Sequence, residues 1–178
     1  MPCSAFLACK PGDATPGDMS GQETGGSVER VRAALLAAGH PDTITQFPTG
    51  TRTAADAAAA VGCSVAQIAK SIVFRCGMRA AIVITSGANR VDQAKAGAAL
   101  GATLDRADAD WVREATGFAI GGVAPVGHVS PPMLLLDQDL LLLDPIWAAA
   151  GSPSHVFRTS AADLARITGA TVARVRAG

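Results

Sequence analysis

The stretch IAKSIVFRCGMRAAIVIT, residues 68–85, decides the fold. Two apolar runs rich in β-branched residues, SIVFR and AAIVIT, flank the short turn CGM, and this arrangement predicts a hairpin of antiparallel strands. Just upstream, Ser64 and Gln67 stand in S-x-x-Q spacing, which predicts a helix of one to two turns ending at Lys70. A lysine therefore lies where a helix feeds a buried strand. It is one of only three, with Lys10 and Lys95, against twelve arginines.

Working towards the N-terminus, Thr53 and Asp56 form a capping box that opens the helix TAADAAAAVG, with Gly62 as its stop. TITQF alternates like a strand. In SVERVRAALLAAGHP, Ser27 is the expected N-cap, Val28, Val31 and Leu35 share one face, and Gly39 and Pro41 end the helix. Residues 1–26 are rich in Gly, Pro, Ser, Thr and Asp and have no apolar period, which predicts a flexible extension and places the ordered domain at 27–178. Towards the C-terminus, RVDQAKAGAALG and DADWVREATG read as helices closed by Gly101 and Gly117. MLLLD and LLLLD read as two strands, SHVFR as a strand, SAADLARITG as a capped helix and TVARV as a last strand. Helices and strands mix without strict alternation, so the prediction is an α+β fold with a curled mixed sheet and helices around it.

Composition narrows the function. The 178 residues suit one domain. Mean hydropathy is +0.29, yet no apolar run reaches the roughly 18 residues of a membrane span. Fifteen basic residues balance fifteen acidic ones, which excludes a protein that coats a duplex but leaves room for one that grips a strand end through a local patch. Cys3, Cys9, Cys63 and Cys76 lack zinc or redox spacing, and the start MPCSAFLACK has no positive region of the kind that opens a secretory signal. These features predict a reduced, cytoplasmic setting with no metal.

Few residues carry a chemical signal. Lys70 either answers a helix C-terminal dipole or is present for its compact ammonium with three rotatable donors. GGVAPVG, residues 121–127, is a stiffened glycine loop, suited either to a helix-to-sheet turn or to presenting backbone N–H groups to a ligand. It has neither the P-loop sequence nor the dinucleotide-binding spacing. His128 follows the loop as a structural imidazole or a substrate donor. His155 with Ser152 and Ser154 suggests a nucleophile and base, but no nucleophile-elbow motif supports it, and GSPSH is explained as a turn. Asp137, Asp139 and Asp144 bracket turns, where aspartate is favoured. Trp111 and Trp147 read as core.

Taken in order, TRTAADAAAAVGC, QIAKSIVF, AAIVITSG, GGVAPVGH and LLLLDPIWAAAGSPSHVFRTSAADL resemble the YbaK and prolyl-tRNA synthetase editing-domain (INS-like) family of aminoacyl-tRNA deacylases, over roughly residues 27–176. The most specific marks are the lysine of IAKSIVF and the G-x-x-P-x-G of Gly122, Pro125 and Gly127. The resemblance implies a barrel-like, largely antiparallel sheet. It also implies a freestanding deacylase that hydrolyses the ester of a mischarged tRNA, typically tRNA(Pro) carrying a small non-cognate residue, without a cofactor. By the same resemblance Lys70 is the catalytic group, and Gly122, Pro125, Gly127 and His128 contact the substrate. Ser71 and Ser152 are expected pocket contacts. The loop AGSPSHVF departs from the histidine- and asparagine-bearing pattern of the alanine-specific branch, which leaves the amino acid unassigned.

The implied partners are the 3′ acceptor end of aminoacyl-tRNA, met by Arg52, Arg75, Arg79 and Arg90, with help from prolyl-tRNA synthetase or an elongation factor. A module that binds the tRNA end without turning it over is the alternative. A small-molecule nucleotide hydrolase is disfavoured, since neither a phosphate loop nor a metal-ligand cluster is present in the sequence.

Overall fold

The computed structural model describes residues 20–47 and 53–178. The hairpin forms as its sequence predicts. Strands β2 (Ile68–Cys76) and β3 (Arg79–Ser86) pair antiparallel around Gly77 and Met78, in a register that sets Lys70 opposite Thr85 and Phe74 opposite Ala81. Before them come α1 (Ser20–Ala37), β1 (Ile44–Gln46) and α2 (Ala54–Val61). After them come α3 (Gln93–Leu100), β4 (Asp105–Arg106), α4 (Ala109–Thr116), β5 (Met133–Asp137), β6 (Ile146–Ala149), β7 (His155–Thr159), α5 (Ala161–Thr168) and β8 (Thr171–Ala173).

The strands form one mixed sheet in the order β1-β7-β6-β2-β3-β5-β8, with β4 set against β2. The hairpin and the β1-β7, β6-β7 and β2-β4 pairs are antiparallel, whereas β2-β6, β3-β5 and β5-β8 are parallel. The apolar run AAIVIT has no alternation because β3 is covered on both faces. Ile82 and Ile84 pack with Val31 and Leu35 of α1, Val112 of α4 and Leu164 of α5. Ala81 and Val83 pack on the other face with Ala96 of α3, Leu104 and Leu135. The fold is α+β, as expected.

Three local expectations are corrected. First, α1 begins at Ser20, so Ser27 is inside the helix and not its N-cap. Its hydroxyl donates to the Gly151 carbonyl at 2.7 Å, a tertiary partner that the local sequence does not reveal. Residues 1–19, most of the predicted extension, lie outside the described residues.

Second, the turn opened by Ser64 is a single 3₁₀ turn, Val65–Gln67, and Lys70 stands on β2. Gln67 ends the turn because its Oε1 meets both the N–H and the hydroxyl of Ser64, at 3.1 and 3.0 Å, while its Nε2 reaches the Pro145 carbonyl at 2.9 Å. The β-branched residues beyond then follow the ladder to β3. The helix-dipole explanation of Lys70 falls with this helix end.

Third, LLLLD is not a strand. Gln138–Leu142 winds as a 3₁₀ turn under Asp137, whose side chain accepts from the Asp139 N–H, with Leu140 fully buried and Leu142 85% exposed. A strand in that run would alternate its leucines between two covered faces, and no second layer lies over Leu142. The strand that does follow, β6, lies in the alanine-rich IWAA.

One feature of the sheet places the site. On the side away from β3, β2 is met by β6 at Ile68 and Ala69 and by β4 at Phe74 and Arg75. Between them, at residues 70–73, no strand lies against that side among the described residues. The sheet parts there, at Lys70 and Ser71.

Candidate functional site

A cavity of about 250 Å³ opens at this parting. Its floor is Ile68–Ile72 of β2, and α2 contributes Thr53, Ala54 and Ala57. The remaining walls come from Trp147 and Ala149 of β6, from Ile120, Gly121 and Val123 of the glycine loop, and from Ser152, Pro153 and His155 ahead of and within β7. Helix α2 is held at the rim by its predicted capping box, with Asp56 N–H donating to Thr53 Oγ1 at 3.1 Å and Thr53 N–H to Asp56 Oδ2 at 3.0 Å.

Lys70 is half-buried, and its Nζ donates to the carbonyls of Asn89 at 2.6 Å and Gly87 at 3.2 Å. Burial, and then the nearby Arg90 guanidinium, lower its pKa from the ordinary lysine value. Beside it, Ser71 Oγ is buried and has no hydrogen-bond partner among the described residues. Leaving such a hydroxyl unmatched costs about 1–3 kcal/mol.

Of the sequence-predicted residues, the cavity brings together Lys70, Ser71 and Ser152. Gly122, Pro125, Gly127 and His128 stand behind its wall. The Gly122 N–H donates to Ala119 O at 3.0 Å. A Cβ on Gly122 would fall 2.6 Å from Ser152 Cα, so this glycine is what lets the loop lie directly against the Ser152 segment. Pro125 is buried, and the Gly127 carbonyl accepts from Arg30 Nε at 2.9 Å. His128 donates from Nε2 to Ala124 O at 2.8 Å and meets Phe118 edge-on, with ring centroids 5.6 Å apart. Ile120, Gly121 and Val123 are the loop residues that reach the cavity.

Two residues set aside as structural in the sequence do line the cavity. Trp147 forms part of its side, and His155 lies with Nδ1 2.6 Å from Ser152 Oγ and 3.3 Å from Ser154 Oγ. Burial, and then Arg32, lower the His155 pKa and favour the neutral imidazole. Asn89 carried no signal in the sequence, because its role depends on a turn that only the pairing of β3 creates. Of the four arginines, Arg90 is the one coupled to Lys70. Arg75 instead lies over the Trp111 ring at 5.2 Å, and Arg52 lies outside the described residues. Among the described residues there is no group of three or more His, Cys, Asp or Glu placed to hold a metal ion, and no helix is long and apolar enough to cross a membrane.

An ammonium and a neutral imidazole at a small cavity suit the binding of a compact polar group. Comparison with known proteins points the same way. The family model of the aminoacyl-tRNA editing domain matches residues 49–167. YwhH, an uncharacterized protein of Bacillus subtilis (strain 168), is 28% identical over 143 residues, which cover 80% of this chain and 91% of YwhH. The chain superposes with a TM-score of 0.80 and 45% identity on a crystal structure described as that of a candidate trans-editing enzyme for prolyl-tRNA synthetase, covering 85% of this chain and 98% of that one. The protein APE2540 matches with a TM-score of 0.77 and 28% identity, over 83% of this chain and 99% of its own. Since the family match spans more than half of the chain and every residue that walls the cavity, this chain belongs to the aminoacyl-tRNA editing domain family.

Proposed function

We propose that the protein is a trans-editing aminoacyl-tRNA deacylase, which hydrolyses the ester joining a small non-cognate amino acid to the 3′ adenosine of a tRNA, with tRNA(Pro) as the expected carrier. The observation that carries this reading is the Lys70 ammonium at the wall of a cavity of about 250 Å³, inside the region matched by the editing-domain family. The description of the similar crystal structure as a candidate trans-editing enzyme for prolyl-tRNA synthetase supports the choice of tRNA.

Ester hydrolysis places negative charge on the acyl carbonyl oxygen as water adds to the carbon. The C–O bond to the ribose then breaks, and the ribose oxygen takes a proton. A fixed donor at that oxygen is worth about 3–4 kcal/mol in the transition state. Lys70 has such a donor: two of its three N–H groups are engaged by Gly87 and Asn89, and the third remains for the substrate. The water is aligned by the substrate's own 2′-hydroxyl, so no nucleophilic side chain is required. The Ser152–His155 pair supplies polar contacts, while Val123 and Trp147 limit the size of the side chain. An apolar wall discriminates by about 1–3 kcal/mol per methylene, enough to spare a bulkier cognate residue.

The test is a panel of tRNA charged with Ala, Ser, Cys or Pro. The protein is expected to release at least one small non-cognate residue and to leave Pro in place. Lys70→Ala is expected to lower the rate at least about 100-fold with the fold retained. Binding of charged tRNA without ester loss identifies a recognition module instead, and full activity in Lys70→Ala removes the lysine from the mechanism.

A further inference from the structure

Lys70 is held by a turn that is itself anchored from behind. The carbonyls that accept from its Nζ belong to Gly87 and Asn89, just past the end of β3. Asn89 is 8% exposed, and its Nδ2 donates to Asp137 Oδ2 and to Asp139 Oδ2, both at 2.9 Å. Asp137, fully buried at the end of β5, also accepts from the Thr85 hydroxyl at 2.6 Å. Thr85 is the register partner of Lys70 across the hairpin. The contacts thus run from Lys70 to Asn89, to Asp137, to Thr85 and back across the strand pair, spanning the adjacent strands β2, β3 and β5.

Holding the turn in place does not by itself require this arrangement. Ser86 Oγ already donates to Ala66 O at 2.8 Å, and Gly87 N–H to Ile68 O at 2.6 Å. Asp137 accepts from Thr85, from Asn89 and from the Asp139 N–H, so the Asn89 side chain is held by a partner that is itself fixed on two further sides. What Asn89 adds is a fixed position for the carbonyl that makes the shorter of the two contacts with the ammonium.

We infer that Asn89, fixed by Asp137 and Asp139, is a positioning residue for Lys70, and that it orients the ammonium so that one N–H stays directed to the substrate's acyl oxygen. This inference rests on the catalytic reading of Lys70. A lysine stem has four rotatable carbons, and a displacement of about 1 Å at a reacting group is enough to cost on the order of 100-fold in rate. The charged and titratable groups that bear on the ammonium are Arg90 just past the turn, the two aspartates behind Asn89, Arg176 at 3.8 Å from Asp139, and His155, which lines the same cavity.

The test uses Asn89→Ala in the full chain. Because the protein has three lysines, ¹⁵N-lysine NMR resolves the Lys70 ammonium, and Lys70→Arg assigns it. Asn89→Ala is expected to lower kcat by about 10- to 100-fold while KM stays within about threefold. The Lys70 titration midpoint and the alkaline limb of the pH–rate profile are expected to move together and in the same direction, since both report the surroundings of one ammonium. Asp139→Ala, whose side chain is 28% exposed in the wild type, is the milder variant and is expected to shift both readouts in the same direction by less. It carries the test if Asn89→Ala does not fold. A lower melting temperature with unchanged kcat and an unchanged Lys70 titration overturns the inference and makes the network structural. Full deacylation in Lys70→Ala, with the ammonium resonance still moving in Asn89→Ala, overturns the catalytic reading while leaving the anchoring in place.

Discussion

His128 is neutral at pH 7. Burial first, opposed by its bond to the Ala124 carbonyl and assisted by Arg30, lowers its pKa from 6.5 to about 4. As pH falls below about 6.5, the unfolded chain takes up a proton that the folded chain refuses until about pH 4, so stability declines across that window by at most about 3 kcal/mol from this group. His155, shifted in the same direction, adds to the slope. His128→Gln keeps a donor for Ala124 and removes the titration. Urea unfolding at pH 7 and pH 4.5 is expected to show a visibly smaller loss of stability in the variant, and equal losses in the two proteins refute the assignment. At this scale Lys70 was legible because lysine is scarce in a chain that otherwise uses arginine. The Ser152–His155 contact was not, since GSPSH reads equally well as a turn and nothing local shows that a cavity lies beside it.

The glycine loop lies closely against the segment before β7. Gly122→Ala sets a methyl group 2.6 Å from Ser152 Cα, and one side must move. The expected result is destabilisation by about 1–3 kcal/mol, with a raised KM as Ser152 and His155 shift, and calorimetry and deacylation kinetics measure the two effects. Wild-type values for both would show that the joint is not tight. Capped elements were the most legible part of the fold, because their signals are local: Thr53 and Asp56 open α2, and Ser160 N-caps α5. The hairpin was legible for the same reason. The parallel pairs β3-β5 and β2-β6 were not, since their partners lie far apart in sequence, and β6 is only four residues long, too short to show a period of its own. The leucine run misled in the opposite way, having the composition of a strand without a second face to bury.

Over the whole molecule the balance of fifteen positive and fifteen negative residues limits how much affinity for RNA comes from the phosphate backbone. With about two phosphate contacts, affinity for charged tRNA is expected to fall by only about tenfold between 50 and 200 mM salt. Titrations across that range check this, and a loss of a thousandfold or more would reveal a broad basic footprint that the charge balance argues against. Bare strand edges at the rim of a sheet invite pairing with another chain and lead to aggregation. Here the bare edge spans only residues 70–73 and lies inside the sheet, between β6 and β4. Among the described residues that gap is too short and too enclosed to template a foreign strand, so the backbone beside Lys70 is left open without adding another rim to the sheet.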